Sequence, residues 1–347
     1  MKVKADVRRR IVKSIVIFYC TILFAALLGF LLPAELKEPV KNANASIETG
    51  KTLVPGGFSV GMQMDVKGVL IVGVEQEVGP RIGDMIVKVN GEAVGSPDEV
   101  MDLVGNSGNT VDLTVVRDKK RLQFQVTPYF DEETQTYKLG FWIKEKIAGI
   151  GTLTFYDPKT KSYAALGHGI YEPETGTLLE AKEGNLLYTK VEQIRQGRVG
   201  SPGSLSGAIY NFETPIGDIT ENTDVGVHGF VANEQLFSTH QPMPVGRSKE
   251  VKEGKAMILT TIEGTKVESF EIEITRVNRS LLSKSRNLKL KVIDDRLLEN
   301  CGGIVQGMSG SPIIQDGKLV GAVTHVLVND PTRGYGIFIE NMLDAAS

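Results

Sequence analysis

From Ser14 to Leu32 the chain carries no charged side chain, and the run follows Lys2, Lys4, Arg8, Arg9, Arg10 and Lys13 against the single acid Asp6. At ~1.5 Å per residue such a run is about long enough to cross the hydrocarbon core of a bilayer as a helix. The basic flank predicts residues 1–13 in the cytoplasm, 14–32 as the anchor and everything after Pro33 outside. A cleaved signal peptide fits less well, because Leu32-Pro33-Ala34-Glu35 is a poor small-residue cleavage site. After it the pattern turns polar. Glu35 to Lys51, with Pro39 and Asn-Ala-Asn-Ala, reads as a linker, and residues 33–55 are expected to hold the rest of the chain off the membrane.

Beyond the linker apolar residues alternate with polar ones in short bursts. Ser269-Phe270-Glu271-Ile272-Glu273-Ile274 and Leu288-Lys289-Leu290-Lys291-Val292 each have the two-residue period of a half-buried strand. Gly151 to Tyr156, a turn through Asp157-Pro158-Lys159-Thr160-Lys161, and Ser162 to Leu166 predict a hairpin. Few stretches after Tyr137 show a 3.6-residue period, so the fold class is mainly β, with paired barrels rather than a sheet covered by helices.

Residues 56–130 read as a separate module. Arg81 to Gly91 gives a strand ending in an Asn-Gly turn, and Val111 to Val116 gives another. Ser96-Pro97-Asp98-Glu99 is a capping box with Pro at the first helical position, opening a helix through Val100, Leu103 and Val104. With Ser59-Val60-Gly61-Met62, this assembly resembles a PDZ domain. The resemblance implies that Val60, Gly61 and Met62 turn backbone N–H groups toward a peptide while the helix walls the groove.

The chemistry concentrates at Gly307-Met308-Ser309-Gly310-Ser311-Pro312. Glycines at 307 and 310 open backbone conformations closed to residues with a Cβ, so the N–H groups of Gly307 and Ser309 can converge as an oxyanion hole beside the Ser309 hydroxyl. The box is similar to the Gly-x-Ser-Gly-x-Pro box of chymotrypsin-like serine peptidases. The run after it, with Val323, Thr324 and His325, resembles the strand on which those enzymes lay their substrate. The chain has four histidines as candidate bases. His168 leaves a small-residue strand into Gly169 and is the first choice; His228 in Val227-His228-Gly229 is the reserve. His325 suits the pocket lining, and His240 reads as surface. An acid to orient the base is open among Asp294, Asp295, Asp218 and Asp224. Gly197 to Gly207, rich in Gly and Ser, reads as a connector near the cleft.

Gly303 to Gln315, Gly321 to Val326, Val328 to Thr332, Gly167 to Ile170 and Lys291 to Leu298 together resemble the stage IV sporulation protein B peptidases of spore-forming Firmicutes. The resemblance implies an active serine peptidase over residues 131–347, with Ser309 as nucleophile and His168 as base. It favours Asp294 as the acid, with Asp295 as the alternative. It also implies a narrow substrate: a membrane-bound regulator in the space between the two forespore membranes, whose cleavage activates a late mother-cell sigma factor, and self-cleavage as well. Two other readings compete, a PDZ-based peptide-binding scaffold with an inactive peptidase fold and a Deg-type quality-control protease. The latter normally carries its PDZ domain after the peptidase.

Composition trims the alternatives. The chain has 347 residues and a formal net charge of −3, which gives no reason to expect nucleic acid. No Cys/His cluster or His-Glu-x-x-His spacing is present, so neither a metal nor another cofactor is expected. Cys20 falls in the anchor and Cys301 far beyond it, which excludes an intrachain disulfide.

Overall fold

The computed structural model describes residues 50–75, 79–105, 109–210, 213–238, 240–280 and 283–345. The expected anchor at 14–32 and most of the expected linker lie outside the described residues. Among the described residues no helix is long and apolar enough to cross a membrane.

The chain enters through β1 (Thr52–Pro55) and β2 (Ser59–Val74). The small module adds β3 (Met85–Val89), β4 (Glu92–Ala93), α1 (Pro97–Val104), β5 (Val111–Arg117) and β6 (Lys120–Val126). A hairpin of β7 (Tyr129–Asp131) and β8 (Thr136–Lys138) leads to the long β9 (Phe141–Asp157), which turns into β10 (Ser162–Ala165). Then come β11 (Ala181–Arg195), β12 (Ser204–Tyr210), β13 (Gly217–Asp218), β14 (Glu221–Thr223), β15 (Gly226–Phe230) and β16 (Met243–Pro244). The last part holds β17 (Gly254–Thr261), β18 (Val267–Val277), β19 (Leu288–Val292), α2 (Asp295–Cys301), β20 (Pro312–Gln315), β21 (Lys318–Leu327), β22 (Asp330–Phe338) and α3 (Ile339–Ala345).

β17 to β22 close into a six-stranded barrel in the order β17-β18-β19-β22-β21-β20, filled by Ile258, Phe270, Ile272, Leu290 and Val323 among others. The alternating segments expected at 269–274 and 288–292 are its walls. The N-terminal lobe does not close as a barrel of its own. Its strands belong to a 14-stranded sheet that runs on into the small module.

The cause is the length of β2 and β9. Between Ser59 and Asp65, β2 pairs with β9, and between Val60 and Val66 it pairs on its other edge with β11. Its far half, Val69 and Leu70, pairs with β3. One strand thus serves both lobe and module, and the expected boundary at residue 56 falls inside the N-terminal lobe. β1, placed by the sequence pattern in the linker, is a lobe strand too, with Leu53 fully buried. Tyr137 and Leu139, assigned above to the peptidase, pack against the module instead.

Within the module local chemistry acts as expected. The Ser96 hydroxyl accepts from the Glu99 N–H at 3.2 Å, and Glu99 Oε2 accepts from the Gly95 N–H at 2.7 Å, which caps α1. Asn90 and Gly91 both take positive φ, 51° and 85°, as a tight hairpin requires. The Arg117 guanidinium holds the buried Asp84 carboxylate through two bonds of 2.6 and 2.7 Å. A fourth apolar cluster joins the lobes, with Leu53, Phe155 and Ala164 from one side packed on Ala322, Ile337 and the α3 residues Ile339 and Met342.

Candidate functional site

Ser309 stands on a loop clamped on two sides by the N-terminal sheet. On one side Thr152 of β9 is the clamp. Its N–H donates to the Ser309 carbonyl at 2.9 Å, and its hydroxyl donates to the Gly307 carbonyl at 2.8 Å. Gly310, at φ +97°, sits so close that a Cβ would lie 2.0 Å from the Thr152 carbonyl oxygen. Only glycine fits there. On the other side the Gln306 N–H donates to Gly203 and the Leu205 N–H to Gln306, at 2.9 and 2.8 Å. The Gly-rich segment 197–207 is therefore zipped to the serine loop, not a plain connector.

The clamping leaves a particular pair of donors open. The N–H groups of Met308, Gly310 and Ser311 are taken by the carbonyls of Val305, Val323 and Met308. Among the described residues those of Gly307 and Ser309 have no acceptor. These are the two amides expected to hold an oxyanion.

β10 delivers His168. The chain leaves the strand through Leu166 and Gly167 at φ 69° and 70°, two successive left-handed residues, the first of them with a side chain. Strain of that kind at a non-glycine residue persists only where the surroundings hold it. The ring then stands in a groove of about 420 Å³ that Ser309, Gly307, Thr324 and His325 also line. His168 Nδ1 lies 2.8 Å from the Gly169 carbonyl oxygen. A carbonyl only accepts, so Nδ1 carries the proton and Nε2 of the neutral ring keeps its lone pair. Burial pushes the His168 pKa below its ordinary value.

The structure brings Ser309 and His168 into one groove but joins them by no direct bond. The Ser309 hydroxyl donates to the Thr324 carbonyl at 2.7 Å. His325, at the end of the expected substrate strand, packs its ring 4.8 Å from that of His168, centre to centre. Burial, then the neighbouring His168 and Arg286, push its pKa down to about 4. Val323 faces the barrel core, while Thr324, its hydroxyl donating to the Ser285 carbonyl, borders the groove together with His325 and Val326.

The carboxylates are elsewhere. Asp294 is the N-cap of α2: its oxygens accept from the Arg296 and Glu271 N–H groups at 3.0 and 3.2 Å and from the Arg296 guanidinium at 3.1 Å. Asp295 begins that same helix. The Asp218 carboxylate accepts from the Phe230 N–H. Asp224 borders the neighbouring cavity of about 720 Å³ together with His168, but it binds Tyr171 and Lys284 at 3.0 and 2.6 Å. The orienting place on His168 is filled by the carbonyl of Gly169. The favoured triad acid is thus corrected to a helix cap, because an aspartate before a helix satisfies its first free N–H groups.

Three further expectations change. Val60, Gly61 and Met62 lie mid-strand between β9 and β11 with both edges paired, so no peptide can add there. His228 is buried in β15 with Nε2 3.3 Å from the Thr223 hydroxyl and does not line the groove. His240 packs edge-on against Phe58, 4.8 Å between ring centres, and is only partly exposed. Cys301 is a buried free thiol in the barrel core, its pKa pushed up to about 12 by burial. Among the described residues no cluster of His, Cys, Asp or Glu is placed to hold a metal ion.

A serine on a glycine-bent loop, a histidine with a bare Nε2 and two open amides, set at the junction of two β lobes, define a serine endopeptidase. The profile of the family described as SpoIVB peptidase S55 matches residues 135–343, more than half of the 347 residues, and the chain belongs to that family. Among solved structures it is similar to the Rv3671c protease from M. tuberculosis in its active form, at 13% identity over 57% of this chain and 72% of that one, with a TM-score of 0.32. It is also similar to the HtrA-type protease AlgW with a tripeptide, at 13% identity over 57% of this chain and 54% of that one, TM-score 0.32. The PDZ domain of an SdrC-like protein from Listeria monocytogenes matches at 24% identity over 22% of this chain and 87% of that one, TM-score 0.21. No curated protein matches.

Proposed function

We propose that this serine peptidase acts in sporulation signalling: anchored by residues 14–32, it cuts the extracytoplasmic part of a membrane-bound regulator, and itself, to trigger activation of a late mother-cell sigma factor. The family supports the pathway, and the basic flank before the apolar run supports the orientation. The observation that carries the chemistry is the meeting in one groove of Ser309, His168 and the open amides of Gly307 and Ser309.

The reaction is acyl transfer. The Ser309 hydroxyl turns from the Thr324 carbonyl toward His168, Nε2 takes its proton, and Oγ attacks a peptide carbonyl. The Gly307 and Ser309 amides hold the oxyanion. His168 gives the proton to the departing amine, and water, activated the same way, releases the acyl group.

A fluorophosphonate probe tests this. It should label the wild-type chain and leave Ser309→Ala unlabelled, with His168→Ala labelled far more slowly. Labelling that survives in Ser309→Ala puts the nucleophile elsewhere. A wild-type chain that takes no probe favours the scaffold reading. A reporter active only outside the cytoplasm, fused after Lys51, should be active; a silent one reverses the orientation.

A further inference from the structure

β9 has one edge without a partner, and that edge links the catalytic groove to the small module. From Phe141 to Gly151 the strand pairs with β2 on one side only among the described residues, while Thr152 is bonded on the other side to Ser309 and Leu166. The Thr152 N–H points away from β2, to the Ser309 carbonyl. Strand alternation turns the N–H and C=O groups of Ile150 and Ala148 the same way. Ile147, Ala148, Gly149 and Ile150 line the groove that holds Ser309 and His168. A Cβ on Gly149 would meet nothing within 4 Å, so the face of the strand on the groove side of that residue is uncovered. Further back, Phe141 and Ile143 pack in the same cluster as Leu103 of α1. Trp142 is 59% exposed, and Lys144 and Lys146 are exposed with it along one face of the strand.

We propose that this edge is a rail for the leaving side of the substrate: an extended polypeptide, C-terminal to the bond being cut, pairs antiparallel with β9 from Ile150 back to Phe141 and ends beside α1. The inference rests on the peptidase reading. With the acyl side laid on the end of β21, the chain passes Ser309 and His168 and meets β9 at Ile150. An antiparallel partner then runs toward Phe141 in its own N-to-C direction, about 30 Å at ~3.3 Å per residue. Backbone pairing gives such an edge little sequence preference of its own. Lys144 favours an acidic residue on the outward face of the tail, Lys146, 3.9 Å from both Asp65 and Glu145, adds to it less, and Trp142 favours an apolar one. The occupant is an unstructured acidic segment rather than a folded surface, because only an extended chain can use the edge.

The test maps where the full chain cuts a proteome-derived peptide library. Cut bonds should be followed by about eight residues or more, enough to reach α1 at the strand rise. Two Trp-free versions of one cut peptide, with tails of about four and about ten residues, should then differ roughly tenfold or more in kcat/KM. Ala148→Pro removes an N–H from the free edge without touching the pairing with β2, and should shrink that ratio toward one. Trp142 is the only tryptophan of the chain. In Ser309→Ala its fluorescence should move to shorter wavelength with the long peptide and stay put with the short one. Cuts spread evenly up to the peptide C-terminus, or a tail-length ratio of one in a chain that still takes the fluorophosphonate, overturn the rail alone. A chain that neither cuts nor takes the probe overturns the peptidase reading and the rail with it.

Discussion

His168 shows a backbone carbonyl in the place where many serine peptidases put a carboxylate. The Gly169 carbonyl fixes the tautomer and favours the protonated ring, but it brings no negative charge, and its effect is smaller than that of burial. Burial outweighs the Gly169 bond, and the direction of the pKa is down from 6.5. A base works only when neutral, and a lowered pKa keeps it neutral at lower pH. The acid limb of kcat/KM should therefore fall below pH 6.5, the ordinary histidine value. A limb above that value in a pH–rate profile would mean that a carboxylate reaches the ring in solution. Asp294→Asn makes the same point independently. Asn is also a good helix cap, so the loss is confined to the ion pair with Arg296 and about 1 kcal/mol of stability, with turnover down less than about tenfold. Ser309→Ala should remove about 10⁶-fold. A loss near 10⁴-fold for Asp294→Asn at unchanged melting temperature would return it to the triad.

At the scale of elements, what was legible in the sequence was what is decided locally. The capping box at Ser96, the Asn90-Gly91 turn and the alternating walls of the C-terminal barrel are each signalled by their neighbours, and each forms as read. What depends on edges was not legible. A glycine between apolar residues stands both at Val60-Gly61-Met62 and at Leu139-Gly140-Phe141, and only the pairing of β2 on both edges shows that the first is closed. Asp294 misled for a related reason, because a cap and a catalytic acid look alike along the chain. Thr152 carried no signal beyond its place in an expected strand, yet it ties β9 to the serine loop. Thr152→Val keeps the shape and removes the hydroxyl, leaving the Gly307 carbonyl without that donor. The expected result is a loss of about 1–3 kcal/mol in urea unfolding together with slower fluorophosphonate labelling, both restored by Thr152→Ser. Normal labelling in the valine variant would show that the loop holds its shape without the clamp.

The described part of the chain is tied together as a whole. β2 and β9 run from the lobe into the module, and the cluster around Leu53, Phe155 and Ile337 joins lobe to barrel. A charge forced into any of these packed regions should therefore weaken the entire unit, and two histidines are placed to do so. His228 is 4% exposed, its Nδ1 has no partner, and burial pushes its pKa down to about 4; His325 is pushed to about the same value. Both folded values lie below the ordinary 6.5, so as pH falls the unfolded chain takes up these protons first. Above about pH 6.5 neither histidine affects stability. Between there and about pH 4 stability declines, by about 3 kcal/mol for His228 alone, and levels off beneath. At pH 5 the His228 share is already about 2 kcal/mol. Urea unfolding at pH 7 and pH 5 measures the drop, and His228→Gln, which cannot be protonated, should remove a large part of it whatever its effect at pH 7. A pH dependence unchanged by that substitution would show that the ring is already hydrated or charged in the folded protein.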